Sequence, residues 1–136
     1  MNILTEKVVI SSLLKLQLFY CALGVGYNVV SYVKAATGGQ PLSSTSPIIG
    51  AAFMLIYGLC LFAGYREYFT LYRVLMAFFL VTVGYSGIIK HFIVYSQQPD
   101  AYSSQLAWAA AIGINLFGFF LNLLAVVGRF EAVPEN

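Results

Sequence analysis

Acidic side chains are scarce in this sequence. There are five in 136 residues, Glu6, Glu67, Asp100, Glu131 and Glu135, and all fall in turns or tails. Proton- or cation-coupled carriers usually hold a carboxylate inside the bundle, so a proton antiporter is not expected. Histidine occurs once, as His91. Without a second histidine, two-histidine haem ligation within the chain is excluded. The two cysteines, Cys21 and Cys60, both sit in apolar segments, and there is no CxxC or Cys/His cluster. Neither a disulfide framework nor a zinc site is suggested, and no cofactor is expected. The seven Lys and Arg are scattered singly and the net charge is only +2, which gives no basic run for a phosphate backbone and excludes nucleic acid as an expected partner. No GxSxG, HExxH, P-loop or dinucleotide fingerprint occurs, and no nucleophile–base pair is apparent, so an enzyme is not expected.

Apolar length is abundant instead. The chain is 60% hydrophobic and 9% charged, against roughly 25% charged residues in soluble domains. A membrane-spanning helix needs roughly 20 mostly apolar residues. Four segments qualify: Leu16–Val33 with a helical lead-in from about Val8, Ile48–Tyr65, Val74–Tyr95 and Leu106–Gly128. Stretches such as "LMAFFLVTVG" do not alternate as barrel strands would, so helices are expected. The bulky "LFYC" ahead of Cys21 is unlike a lipoprotein cleavage site, and the first segment is expected to be a retained span. The fold class that follows is all-α: one integral membrane domain over residues 1–136, an antiparallel bundle with spans at about 12–33, 47–65, 72–95 and 105–128. The links between spans are short, as up-down neighbours require.

Lys7, Lys15, Arg66, Arg73 and Arg129 would share one side of such a bundle, with Lys34 and Lys90 on the other. The bias puts both termini in the cytoplasm and the chain in a cell's inner (plasma) membrane as a multi-pass protein. Tyr65, Tyr68, Tyr72, Tyr95, Tyr102 and Trp108 fall near the expected interfaces. Arg66 and Glu67 are expected to close the 66–70 turn by pairing with Arg73 or Arg129.

Helices associate in lipid through small residues and hydrogen bonds. Small and polar residues recur at alternating spacings of four and three in three spans: Gln17, Cys21, Gly24, Asn28 and Ser31; Ala77, Leu80, Gly84, Gly87 and His91; and Ala111, Asn115, Gly118, Asn122 and Ala125. That period is the seam of a left-handed bundle. Gly24, Gly84, Gly87, Gly118 and Asn122 are the expected packing residues, and Asn28, Asn115 and Asn122 should point inward. "VGYN" at 25–28 recurs as "VGYS" at 83–86, and "GYRE" at 64–67 is echoed by "GRFE" at 128–131. A duplicated two-helix hairpin would account for both.

Lys90 and His91 interrupt the third span. Lys90 lies ~8–9 Å below its end, within reach of the interface by snorkelling. Neighbouring residues diverge by ~100°, so only His91 falls on the small-residue stripe. The leading expectation is an accessory or self-associating subunit that packs in the bilayer against other membrane chains or copies of itself. A transporter or channel for a small or amphiphilic solute is the alternative, its cavity opening to the outer side and lined by Tyr27, Asn28, Tyr85, Ser86, Lys90, His91 and Asn115. A lipid- or quinone-binding protein is the third.

Overall fold

The computed structural model describes residues 7–130. Four helical spans form an up-down-up-down ring in which each packs against its two chain neighbours, the first and last closing it. Helix α1 is Ile10–Ala36 and α2 is Pro47–Tyr65. The third span runs from Phe69 to Gln97 as α3 (Phe69–Thr82), a π-helical stretch (Val83–Ile89) and α4 (Lys90–Gln97). Helix α5 is Gln105–Val127. All four spans are long and apolar enough to cross a membrane. Leu59, Val81 and Leu106 are among the many large apolar side chains that stand outward. A continuous apolar exterior suits lipid and not water. The chain is a multi-pass membrane protein.

Local chemistry sets the helix ends. Pro47 takes the first position of α2, where its missing N–H costs nothing. Helix α1 stops at Gly38, whose φ of +85° suits glycine, and Gly38 and Gly39 donate back to Ala35 and Lys34. Helix α2 ends with the same hydrogen-bonding scheme, but Glu67 holds the left-handed position at φ 59°. Arg73 donates to the carbonyls of Val126 and Gly128 and lies over the Phe130 ring, so it caps the C-terminus of α5.

At the N-terminal boundary the expected lead-in is extended. Lys7–Val8 pair in parallel with Arg129–Phe130, and the helix begins at Ile10. The expectations for residues 1–6, and for Glu131 and Glu135, lie outside the described residues. Both described ends lie together at the end of the bundle that carries the 66–68 turn, here the terminal end. The connections 37–46 and 98–104 make the opposite, loop end.

The terminal half of the bundle is solid. Tyr20, Tyr57, Tyr72, Met76, Phe79 and Ala125 are essentially fully buried in it. Inside this half each span contributes one polar side chain to a common tie. Gln17 of α1 accepts from the Tyr72 hydroxyl of α3 and donates to Asn122 Oδ1 of α5 (3.2 Å). Tyr57 of α2 donates to the same Oδ1 (2.8 Å). Tyr72 therefore faces the core, while Tyr65 and Tyr68 are exposed. Among the described residues, the buried Tyr20 hydroxyl and Asn122 Nδ2 have no partner.

The small-residue stripes of α1 and α5 face inward as drawn: Gln17, Cys21, Gly24 and Ser31, and Ala111, Gly118, Asn122 and Ala125, are all buried. In the third span the stripe is correct only in its second half. The buried residues before the π-helical stretch are Tyr72, Met76 and Phe79, one position ahead of the expected Ala77 and Leu80. The "VGYN" echo also diverges: Tyr27 is in a regular helix and Tyr85 in the π-helical stretch. Gly64 is helical, whereas Gly128 is extended.

Candidate functional site

The loop half of the bundle is hollow. A cavity of about 320 Å³ lies among the four spans, at the low end of the ~300–1,000 Å³ typical of small-molecule pockets. Six of the seven candidate residues line it: Tyr27, Asn28, Ser86, Lys90, His91 and Asn115. Tyr85 does not. It is 60% exposed on the outer surface, because the π-helical stretch turns Ser86 and Gly87 toward the cavity and leaves their neighbour outside.

Two asparagines shape the space in the same way. Asn28 Nδ2 donates to the Gly24 carbonyl (2.8 Å), and Asn115 Nδ2 to the Ala111 carbonyl (2.9 Å), each one turn back on its own helix. Each amide then lies against a glycine of the facing helix. A Cβ on Gly50 would meet Asn28 Oδ1 at 2.2 Å, and one on Gly87 would meet Asn115 Oδ1 at 2.6 Å. These glycines let the amides lie flat on the neighbouring backbone with the spans close together. Below, Met54 covers Gly24, where a Cβ would stand 2.7 Å from its Cε. Gly118 receives the Tyr20 ring, 2.2 Å from a Cβ, while Gly84 meets Phe119 more loosely at 3.1 Å.

His91 is held from the loop end. Its Nδ1 is 2.6 Å from the Tyr102 hydroxyl, and its carbonyl accepts from Trp108 Nε1 (3.2 Å). Tyr102 is buried, and that burial pushes its phenol above the usual range, so it stays neutral. The phenol contacts Nδ1 at 2.6 Å, the His91 carbonyl at 3.5 Å and the Ser44 side chain. Where the phenol donates to Nδ1, the imidazole proton stands on Nε2. Among the described residues Nε2 has no partner, although His91 is only 6% exposed. Lys90, one residue earlier, is exposed at the cavity's edge, and no hydrogen bond or ion pair holds its ammonium among the described residues.

The roof comes from the 37–46 connection. Leu42 N–H donates to Ser31 Oγ (2.9 Å), Ser43 is buried, and Gln40 Nε2 donates to the Asp100 carbonyl, tying the two loops together. Ser43 and Thr45 line the cavity from above. Sequence spacing could not have found them, because an irregular loop has no periodicity to read; the cluster of hydroxyl residues in "LSSTS" was the only signal. Gly50 and Thr82 also escape the spacing argument, since α2 carries no such stripe and the stripe of the third span is displaced before the π-helical stretch.

The side of the cavity is formed by α2 and the third span. These pack together low down, with Phe53 and Tyr57 edge-on to Phe79 at 5.2 and 4.9 Å. Above Phe79 the third span leans on α5, and α2 packs mainly on α1. Ile49, Ser86 and Lys90 line the cavity there and are exposed. The cavity thus opens laterally through a cleft between α2 and the third span. No group of three His, Cys, Asp or Glu converges among the described residues. Comparisons with family models, curated proteins and solved structures find no match.

Proposed function

We propose that this protein binds a single small amphiphile, taken sideways from the bilayer into the cavity at its loop end. The observation that carries this is the cavity's polarity gradient. Lys90, His91, Ser43 and Thr45 lie toward the loops, and Phe53, Met54, Val83 and Ile114 lie below them. Such a space matches a molecule with a polar head and an apolar body, and the cleft beside it leads to the hydrocarbon. The solid terminal half favours holding a ligand over conducting one, since Tyr20, Tyr57, Phe79 and the polar tie fill the axis beneath.

The bias of basic residues supports a placement in the plasma (inner) membrane with both termini in the cytoplasm, so that the cavity lies in the outer leaflet.

The test is native mass spectrometry after gentle solubilisation in a neutral detergent. Wild type should carry one bound amphiphile per chain. Ser86→Trp, at an exposed position in the cleft, should lose it, while Tyr85→Trp, on the outer surface beside it, should keep it. Retention by Ser86→Trp, or a bare wild-type chain, would overturn the reading.

A second reading, an accessory subunit packing on another membrane chain, is favoured by one observation. Gly26 and Gly113 face outward with open space where a Cβ would stand, and Ala22 and Ala109 lie one turn before them, also exposed. Such paired small residues let a further helix approach closely.

A further inference from the structure

Resting on the amphiphile reading above, we infer that the ligand carries an anionic oxygen head, a phosphate monoester or a carboxylate, on a single alkyl chain. Three observations converge. First, among the described residues the Lys90 ammonium is the only formal charge lining the cavity, no Asp or Glu lines it, and no ion pair engages Lys90. The Lys90 Cα lies about 10 Å below the end of its helix at Gln97, and at that depth an ammonium that does not snorkel is costly in lipid without an anion or water. Second, the head region is rich in donors. With the Tyr102 phenol donating to Nδ1, Nε2–H is a donor that has no partner among the described residues, on a side chain more than nine-tenths buried, and Ser43 and Thr45 supply hydroxyls above it. Anionic oxygens take such donors in short, charge-assisted hydrogen bonds. Third, 320 Å³ is room for a head and the first part of one chain, with the remainder lying in the cleft. Two chains would not fit between α2 and the third span where Phe53 and Phe79 close it below.

The geometry also separates the two interrupting residues by role. His91 is buried and braced from behind, so it sets the direction from which the head is met. Lys90 is exposed at the cavity's edge, so it supplies charge at the mouth. A neutral ring with carbonyl oxygens would use the His91 donor but leave the ammonium without a counter-charge.

The experiment uses the full chain in maltoside detergent at pH 7.5, with binding followed through the fluorescence of Trp108, the single tryptophan, whose indole bonds the His91 carbonyl. The probes are dodecyl phosphate, dodecanoate, dodecanol and inorganic phosphate. Wild type should bind the two anionic amphiphiles about tenfold more tightly than dodecanol, the scale of one charge-assisted contact. Lys90→Gln should reduce them to the level of dodecanol, and Lys90→Arg should retain the preference. Dodecyl phosphate and dodecanoate compared with each other identify which head is preferred. If dodecanol binds as tightly as the anions, or Lys90→Gln leaves the anions unchanged, the head assignment fails while the amphiphile site stands. If inorganic phosphate binds as tightly as dodecyl phosphate, the site is one for free anions and the inference is overturned. If no chain-bearing probe binds, the amphiphile reading fails and takes the inference with it.

Discussion

At the scale of single residues, the consequences turn on what lies within a few ångströms. A Cβ on Gly118 would stand 2.2 Å from the ring of the fully buried Tyr20, whereas one on Gly26 would meet nothing within 4 Å. Overpacking a tight contact costs about 1–3 kcal/mol. Gly118→Ala should therefore lower thermal stability in detergent by at least that amount, and Gly26→Ala should leave it unchanged. The Tyr20 hydroxyl is buried without a partner among the described residues. Tyr20→Phe removes the orphan and keeps the ring, so it should raise stability by about 1 kcal/mol in the same assay. The polar tie behaves differently, because its members satisfy one another. Gln17→Leu strands the Tyr72 hydroxyl, and Asn122→Leu strands Tyr57. Each should cost about 1–3 kcal/mol, and the double variant should cost clearly less than the sum. Strict additivity in the unfolding measurements would mean the tie is not a unit.

At the scale of elements, the π-helical stretch Val83–Ile89 decides which side of the third span faces the cavity. From Val83 a regular helix would bring the inward positions to about 86 or 87 and then 90. The wider turn, with Lys90 N–H bonded back to Tyr85, adds one residue and brings His91 inward instead. Such insertions frequently accompany functional sites. Deleting Tyr85 should remove the wide turn and leave a regular helix in which His91, then seven residues after Val83, still faces inward. The His91–Tyr102 and Trp108–His91 contacts should be kept. Stability should therefore change by less than about 1 kcal/mol, whereas deleting Gly113 from the regular helix α5 turns the residues on one side of it by about 100° and should cost about 3 kcal/mol. Equal losses from the two deletions in thermal unfolding would show that the wide turn does not absorb a residue.

At the scale of the whole molecule, the bundle has two unlike halves. The terminal half is filled by aromatic rings and a four-span polar tie; the loop half is hollow, with α1 close to α2 and α5 close to the third span at two asparagine–glycine contacts, and is roofed by the 37–46 connection. Five of the seven basic residues belong to the terminal end. With Cys21 and Cys60 replaced by alanine, Ser44→Cys and Tyr68→Cys place single thiols at exposed positions on opposite ends. An impermeant thiol reagent on intact cells should label position 44 and spare position 68. The reverse pattern would invert the assignment and put the cavity in the inner leaflet.

Four spans, their antiparallel order and the inward faces of α1 and α5 were legible in the sequence by itself. Apolar length and a repeat of small residues are local properties, and in lipid they leave a backbone few alternatives. Gln17, Asn28, Asn115 and Asn122 could be placed inward for the same reason: a polar group in hydrocarbon must find a partner inside the bundle. The third span could not be read this way, because one extra residue in a helical turn leaves no mark in composition, yet it shifts every later side chain around the axis. Tyr72 and Tyr102 look the same in sequence as Tyr65 and Tyr68. Only the packing distinguishes them, sending the first pair to the polar tie and to His91 and leaving the second exposed. The roof, the lateral cleft and the glycines beneath the asparagines were likewise decided by tertiary structure, since each is a meeting of segments far apart in the chain.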